Sequence, residues 1–286
     1  MSNRLALIVS DVDGTLVEFG GMAPSERLIA AVAAARAAGV HFALASGRTW
    51  EQVCPLSAAL HLEGDIAICC QGAQIVQIST YDVRPKNLRL WTMDLEIVKE
   101  LIRWARDHEL RPSVVVEGRY HWQVGDRLPE TMNFGADGWA EVADLEAATA
   151  SGVQKFMAYG AAAQIDQLLG EAKSRFGART SLFRGGQTLL ECTALGADKG
   201  TALGWLMARL GLTAAQTAAL GDGDNDESLF ARAGYRIAVG EHSPTLRALA
   251  HRTSEGPAHD GAAKAIEWLL ENQSLPQGTL IDASFD

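Results

Sequence analysis

Cationic charge is scarce in this chain: 25 Lys and Arg stand against 35 Asp and Glu over 286 residues, a formal net charge of -10. So acidic a surface repels polyanions at long range, which argues against nucleic acid or an anionic membrane as the main partner. Cysteine is sparse too. Cys54, Cys69, Cys70 and Cys192 form no C-x-x-C pair and two are adjacent in an apolar run, which points away from zinc and from a disulfide framework. Reduced thiols in a cytoplasmic protein are the simple expectation. No stretch approaches the ~20 apolar residues of a membrane span. The opening run from Leu5 to Val9 is too short for a signal peptide. Internal repeats and low-complexity tracts are missing as well.

What is present is an ordinary globular balance, 48% hydrophobic and 21% charged, enough to bury a full core. The length allows a second, smaller domain beside one of ~100–200 residues. Leu5–Val9 is a continuous apolar run, as in a strand buried on both faces. Pro24 opens a helix closed by Gly39, strands follow at Val40–Ala45 and Asp65–Cys70, and Thr49–Leu60 reads as a helix that Pro55 interrupts or kinks. Strands alternating with helices at this spacing form parallel β-α-β units.

The rhythm changes after about Asp82. Arg89–Met93, Val114–Glu117 and Arg119–Val124 alternate polar with apolar residues, as antiparallel strands with one wet face do. Helices at Leu95–His108 and Ala161–Phe176 lie among them, with strands at Val153–Tyr159, Arg179–Phe183 and Thr188–Cys192. The first rhythm resumes near Asp198 and ends in a helix from Gly261 to Glu271, followed by a tail from Gln273 expected to fray. The expected fold is α/β: a Rossmann-like parallel-sheet core from residues 1–83 and 188–286, carrying an inserted α+β cap at 84–187.

Four polar clusters sit where parallel strands end, the place where open α/β sheets bind ligands. D-V-D-G-T at Asp11–Thr15 follows the first strand, so Asp11 and Asp13 can share one side while Val12 packs away and Gly14 permits a sharp turn. Two carboxylates so close repel by about 4 kcal/mol at ~4 Å and an effective dielectric of ~20. Mg²⁺, with its preference for hard oxygen ligands, meets that need. S-G-R-T at Ser46–Thr49 joins a hydroxyl, a Gly amide and a helix N-terminus into an anion site. Lys199-Gly200 opens another helix with a point charge suited to a phosphoryl oxygen. G-D-G-D-N-D at Gly221–Asp226 supplies three more carboxylates, and it lacks the trailing Glu of a twelve-residue Ca²⁺ loop. Taken singly, these are a turn, a helix cap, a surface lysine and an acidic loop. In this order and at strand ends, they describe a phosphate site with a metal.

With these residues the sequence resembles the haloacid dehalogenase-like superfamily, and within it the Cof-type sugar-phosphate phosphatases. D-V-D-G-T-L at Asp11–Leu16 matches the first motif of that group, Ser46–Arg48 the second, Lys199-Gly200 the third and Gly221–Leu229 the fourth; Asp260–Ile266 resembles its last helix. The resemblance implies Asp11 as nucleophile, Asp13 as general acid and base, and a Mg²⁺ held by Asp11, the Asp13 backbone carbonyl and Asp222, with Asp226 as an outer partner. It implies Ser46, Gly47, Arg48, Lys199 and Asn225 around the phosphate. The chain departs from the group at Gln71, where Asn is usual, and at Gly240-Glu241-His242, where G-N-A is usual; Asp224 receives no role. His121, Trp122 and Arg184 are candidates for substrate contacts from the cap.

The expected activity is Mg²⁺-dependent hydrolysis of a small phosphorylated metabolite through an aspartyl-phosphate, in a cytoplasmic monomer or homodimer, with no nucleic-acid or membrane partner. Crowding by Asp11 and Asp222 is expected to keep Asp13 protonated for its acid role. Two alternatives stand beside it: a phosphomutase of the same superfamily, against which Arg48-Thr49 speaks, and a non-catalytic phosphate-binding module, against which the presence of Asp13 speaks.

Overall fold

The structure, a computed structural model, describes residues 4–79, 85–126 and 138–272. The insert boundary expected at residue 84 and the tail from Gln273 lie outside the described residues.

In chain order the first half consists of β1 (Leu7–Ser10), α1 (Glu26–Ala37), β2 (His41–Ala45), α2 (Trp50–Ala59), β3 (Ile66–Cys69), β4 (Gln74–Gln77), β5 (Lys86–Leu90), α3 (Leu95–Asp107), β6 (Arg111–Val116), β7 (Arg119–Gln123), β8 (Trp139–Val142) and α4 (Leu145–Ala148). Then come β9 (Lys155–Tyr159), α5 (Ala162–Phe176), β10 (Thr180–Arg184), β11 (Leu189–Ala194), α6 (Lys199–Leu210), β12 (Thr217–Gly221), α7 (Glu227–Arg232), β13 (Tyr235–Val239), α8 (Pro244–Leu249), β14 (Arg252–Ser254) and α9 (Gly261–Glu271). Local chemistry sets the starts of the principal helices. Ser25 caps α1 by accepting the Leu28 amide, Asp94 caps α3, and Asp198 caps α6 by accepting the Thr201 amide. Pro55 does not interrupt α2, which runs through it.

Eight strands form one sheet in the order β14-β13-β12-β1-β2-β3-β4-β5. Its first six members pair in parallel, and β4 and β5 add antiparallel strands at one edge. β1 lies at the centre, all four residues buried, between β12 and β2. One face packs on α1, α2 and α9 through Leu28, Val32, Val53, Leu56 and Ile266; the other packs on α6, α7 and α8 through Leu203, Leu206, Phe230 and Leu246. This is the doubly covered parallel sheet that continuous apolar strands require.

The second sheet has six strands in the order β10-β11-β9-β6-β7-β8. Its parity divides its two faces. Val114, Val116, Phe156, Ala158, Leu190 and Cys192 pack on α3 and α5, while Val115, Tyr120, Met157 and Tyr159 join the apolar cluster of the eight-stranded sheet. The sheets divide the chain elsewhere than 84–187. β5 pairs with β4 in the first sheet, and β11, whose Leu189–Ala194 lies beyond residue 187, is a central strand of the second. The second sheet with its helices therefore spans α3 to β11, and the elements around the first sheet resume at α6. Among the described residues no helix is long and apolar enough to cross a membrane.

Candidate active site

Asp11 is the first residue past β1, and its amide donates to the Leu220 carbonyl of β12, 2.9 Å away. Gly14, at φ +77, then turns the chain, so that Thr15 Oγ1 donates to Asp222 Oδ1 at 2.9 Å. The carboxyl ends of β1 and β12 thus converge. Asp11, Asp222 and Asp226 bring carboxylate oxygens to within 4.8 Å of one another, all three buried. From α6, Lys199 reaches under them, fully buried, and its Nζ donates to Asp11 Oδ1 and to Asp226 Oδ1, both at 2.6 Å. The other oxygen of Asp226 accepts the amides of Asp222 and Gly223.

Three carboxylates and one ammonium in a buried space leave an excess of negative charge, and the titration of the groups reflects it. Burial, and then repulsion by Asp226, push Asp11 well above the usual carboxylate range, against the pull of Lys199. The same two causes push Asp222 up to about 6, opposed by the Thr15 hydrogen bond. Burial alone would lower Lys199, but Asp11 and Asp226 outweigh it and hold the ammonium above its ordinary value. A hard divalent cation would offset this excess, and the donor set, carboxylate oxygens only, fits one.

Asp13 is not part of that group. Its carboxylate turns to Arg48, which grips it with two bonds, Nε to Oδ2 at 2.8 Å and Nη2 to Oδ1 at 2.6 Å, while the Gly20 amide adds a third at 2.9 Å. The expected crowding of Asp13 by Asp11 and Asp222 is therefore replaced by an ion pair. A short hydrogen-bonded loop after Asp13 and a cation on the neighbouring strand end decide its direction.

These groups open on a cleft of about 740 Å³ between the two sheets. Asp11, Asp13, Gly47, Arg48, Asp222 and Asn225 line it, as do the exposed Asp224 and Glu241 at its rim. Ser46, Lys199 and Asp226 lie behind the wall. Ser46 Oγ accepts the Arg48 amide at 3.1 Å, and Lys199 supports Asp11 from below. Of the three residues singled out on the insert, Arg184 lines the cleft and also pairs with Asp166 at 2.7 Å. His121 points to the other face of β7, and Trp122 stacks on Trp139 with ring centroids 5.0 Å apart.

The wall contributed by the second sheet is instead Tyr120, Lys155, Met157, Leu189 and Glu191. Lys155 and Glu191 are buried and paired at 2.6 Å. Burial alone would lower the Lys155 ammonium, but Glu191 outweighs it and the net shift is upward. Each is a lone charge in an apolar strand, K-F-M-A-Y and L-L-E-C-T-A, and that anomaly is the sequence signal that could have found them.

The chain is similar to known proteins over most of its length. A family model described as haloacid dehalogenase-like hydrolase matches residues 8–266. A protein named HMP-PP phosphatase from Serratia proteamaculans is 28% identical over 210 residues, 72% of this chain and 73% of that protein. The 5-amino-6-(5-phospho-D-ribitylamino)uracil phosphatase of Bacillus subtilis is 23% identical over 274 residues, 93% of this chain and 96% of its own length. A crystal structure of a haloacid dehalogenase-like hydrolase from Bacteroides thetaiotaomicron superposes with a TM-score of 0.79, covering 93% of this chain and all of that one at 24% identity.

Proposed function

The chain belongs to the haloacid dehalogenase-like hydrolase family, and from that premise we propose that it is a Mg²⁺-dependent phosphatase of small phosphorylated metabolites, working through an aspartyl-phosphate on Asp11. The observation that carries the reading is Lys199, buried beneath the cleft and bridging Asp11 and Asp226 with Asp222 alongside. A lysine so placed leaves one Asp11 oxygen for attack and fixes the other.

Asp11 attacks phosphorus in line; an Oδ–P bond forms and the bond to the leaving alcohol breaks. Asp13, once released by Arg48 and carrying a proton, gives that proton to the leaving oxygen. Water then enters, Asp13 takes its proton, and the new P–O bond returns the Asp11 carboxylate and frees phosphate. Arg48 and the Gly47 amide face the phosphoryl oxygens, and Asn225 faces them from the opposite strand end. Asp11, the Asp13 carbonyl and Asp222 would hold Mg²⁺, with Asp226 behind, and the ion would neutralise phosphoryl charge. The segment from α3 to β11 serves as a cap, and its cleft wall selects the alcohol. The relatives named HMP-PP phosphatase and 5-amino-6-(5-phospho-D-ribitylamino)uracil phosphatase support small phosphorylated substrates.

The experiment is a panel of phosphate esters with Mg²⁺ or chelator, scored for inorganic phosphate and for transfer to a second sugar hydroxyl. Release to water that is lost with chelator and falls at least about 1,000-fold in Asp11→Asn is expected. Undiminished release in either case, or transfer without release, overturns the reading.

A further inference from the structure

The second sheet does more than bound the cleft: its two buried charges grip the core at the Gly47 loop and at Gln71, which in turn meets Asn225. Lys155 Nζ, 2% exposed, donates to Glu191 Oε1 at 2.6 Å and to the Gly47 carbonyl at 2.7 Å. The other oxygen of Glu191 accepts Gln71 Nε2 at 2.6 Å. Gln71, held at φ +57 past the end of β3, accepts Asn225 Nδ2 on its own oxygen at 3.3 Å. Its amide lies so close to the loop that a Cβ on Gly47 would fall 2.6 Å from it. One unbroken chain thus runs from β9 through β11 to the end of β3 and on to the loop after β12, touching Gly47 at one end and Asn225 at the other.

Simple docking of two sheets needs no such chain, since Val115, Tyr120, Met157 and Tyr159 already join the two across an apolar face. Burying a lysine and a glutamate costs desolvation that only well-placed partners offset. Both of these charges have partners in the core: Lys155 holds the Gly47 carbonyl directly, and Glu191 reaches Asn225 through Gln71.

We propose that Lys155, Glu191 and Gln71 are positioning residues that couple the seating of the second sheet to the orientation of the Gly47 backbone and the Asn225 amide, so that a competent phosphate pocket exists only when the sheet is seated. The proposal rests on the reading of those two segments as phosphate contacts. Gln71 stands between the second sheet and the Asn225 loop, and its length allows it to hold Glu191 and Asn225 at once.

The test uses the full chain with Mg²⁺ and inorganic phosphate as the probe. Gln71→Met keeps the side chain's length and leaves the Lys155–Glu191 pair in place, while removing the amide that Glu191 Oε2 accepts; Lys155→Met/Glu191→Met removes both charges together. Calorimetric titration should show the phosphate Kd rising roughly tenfold in each, the loss of about one hydrogen bond's worth of orientation. KM for a phosphate ester should rise more than kcat falls, while Gln71→Met still folds, with a melting midpoint lowered by the cost of an unsatisfied buried acceptor. Phosphate Kd within twofold of wild type in Gln71→Met overturns the proposal, whatever its melting midpoint, and this variant decides alone if the double variant does not fold. Wild-type protein that neither binds phosphate nor turns over an ester would overturn the functional reading itself, and this proposal with it.

Discussion

Arg48 holds Asp13 in a fork of two bonds, 2.8 and 2.6 Å, that turns the carboxylate away from Asp11. The pair spans two strand ends, and the guanidinium is nearly buried, so the geometry is tightly set. In the proposed reaction the guanidinium releases Asp13 and turns its fork to the phosphoryl oxygens, where lysine would keep the charge and lose the two-point grip. Arg48→Lys is expected to lower kcat/KM for a sugar phosphate by roughly 10- to 100-fold with little change in melting midpoint. Wild-type kcat/KM in that variant would mean that the planar guanidinium plays no part in the reaction.

The acid and base roles of Asp13 separate with the leaving group. Nitrophenolate leaves without a proton, whereas a sugar alkoxide needs one, and activation of water is required after either. In Asp13→Asn, which can still accept from Arg48, nitrophenyl phosphate should give a burst near one product per enzyme and then stall. A sugar phosphate should give no burst. Mass spectrometry of the stalled protein should find the phosphoryl group on Asp11, and wild-type steady-state rates on both substrates would remove Asp13 from the acid–base role.

Asp222 gives the metal-free protein a pH dependence with a definite sign. Its folded value of about 6 lies above its ordinary 3.8, so between those values the folded state binds more protons than the unfolded one. The stability it contributes is present below about pH 4 and is lost as pH rises through about 6; Asp11 shifts in the same direction. Thermal melts in chelator should show that contribution disappearing over this window. Added Mg²⁺ should raise the midpoint more at pH 7 than at pH 5, because metal competes with protons for these oxygens. An equal rise at both would contradict the assignment.

Gly72 links the third strand end to Lys199. At φ +103, a Cβ there would fall 2.2 Å from the carbonyl of Asp198, the residue that caps α6. The obstacle is backbone, so the helix start must move and carry Lys199 with it. Gly72→Ala should cost at least about 2 kcal/mol by denaturant unfolding and depress turnover. Gly64→Ala, also at positive φ but with nothing within 4 Å, is the control. It should cost about 1–2 kcal/mol and leave kcat unchanged; equal loss of turnover in both would break the link to Lys199.

Much of this architecture is legible in the sequence because burial on both faces leaves continuous apolar runs, and polar clusters then stand out at their ends. Leu7–Ser10 and Thr217–Gly221 are such strands, and Asp11 and Asp222 follow from them. Gln74–Gln77 is short and bounded by glutamines, and Arg252–Ser254 has three residues, so neither carries a readable pattern. Lys86–Leu90 alternates like a strand of the insert, yet it closes the edge of the core sheet, because pairing partners are set by tertiary contacts that periodicity does not encode. The direction of Asp13 escaped for a related reason: D-x-D spacing places its Cα, while Arg48, 35 residues away, places its carboxylate.

The strand order has a consequence for how the chain is made. β1 is central, but its β12 side stays bare until residues 217–221 have been synthesised, whereas every strand of the second sheet lies between residues 111 and 194. A chain emerging from the ribosome therefore holds an unfinished parallel half-sheet while the intervening segment already has all its own partners. That late β12 is also the strand that brings Asp222 and Asp226 to Asp11. Assembly order thus keeps the carboxylates apart until Lys199, which precedes them in the chain, is there to receive them.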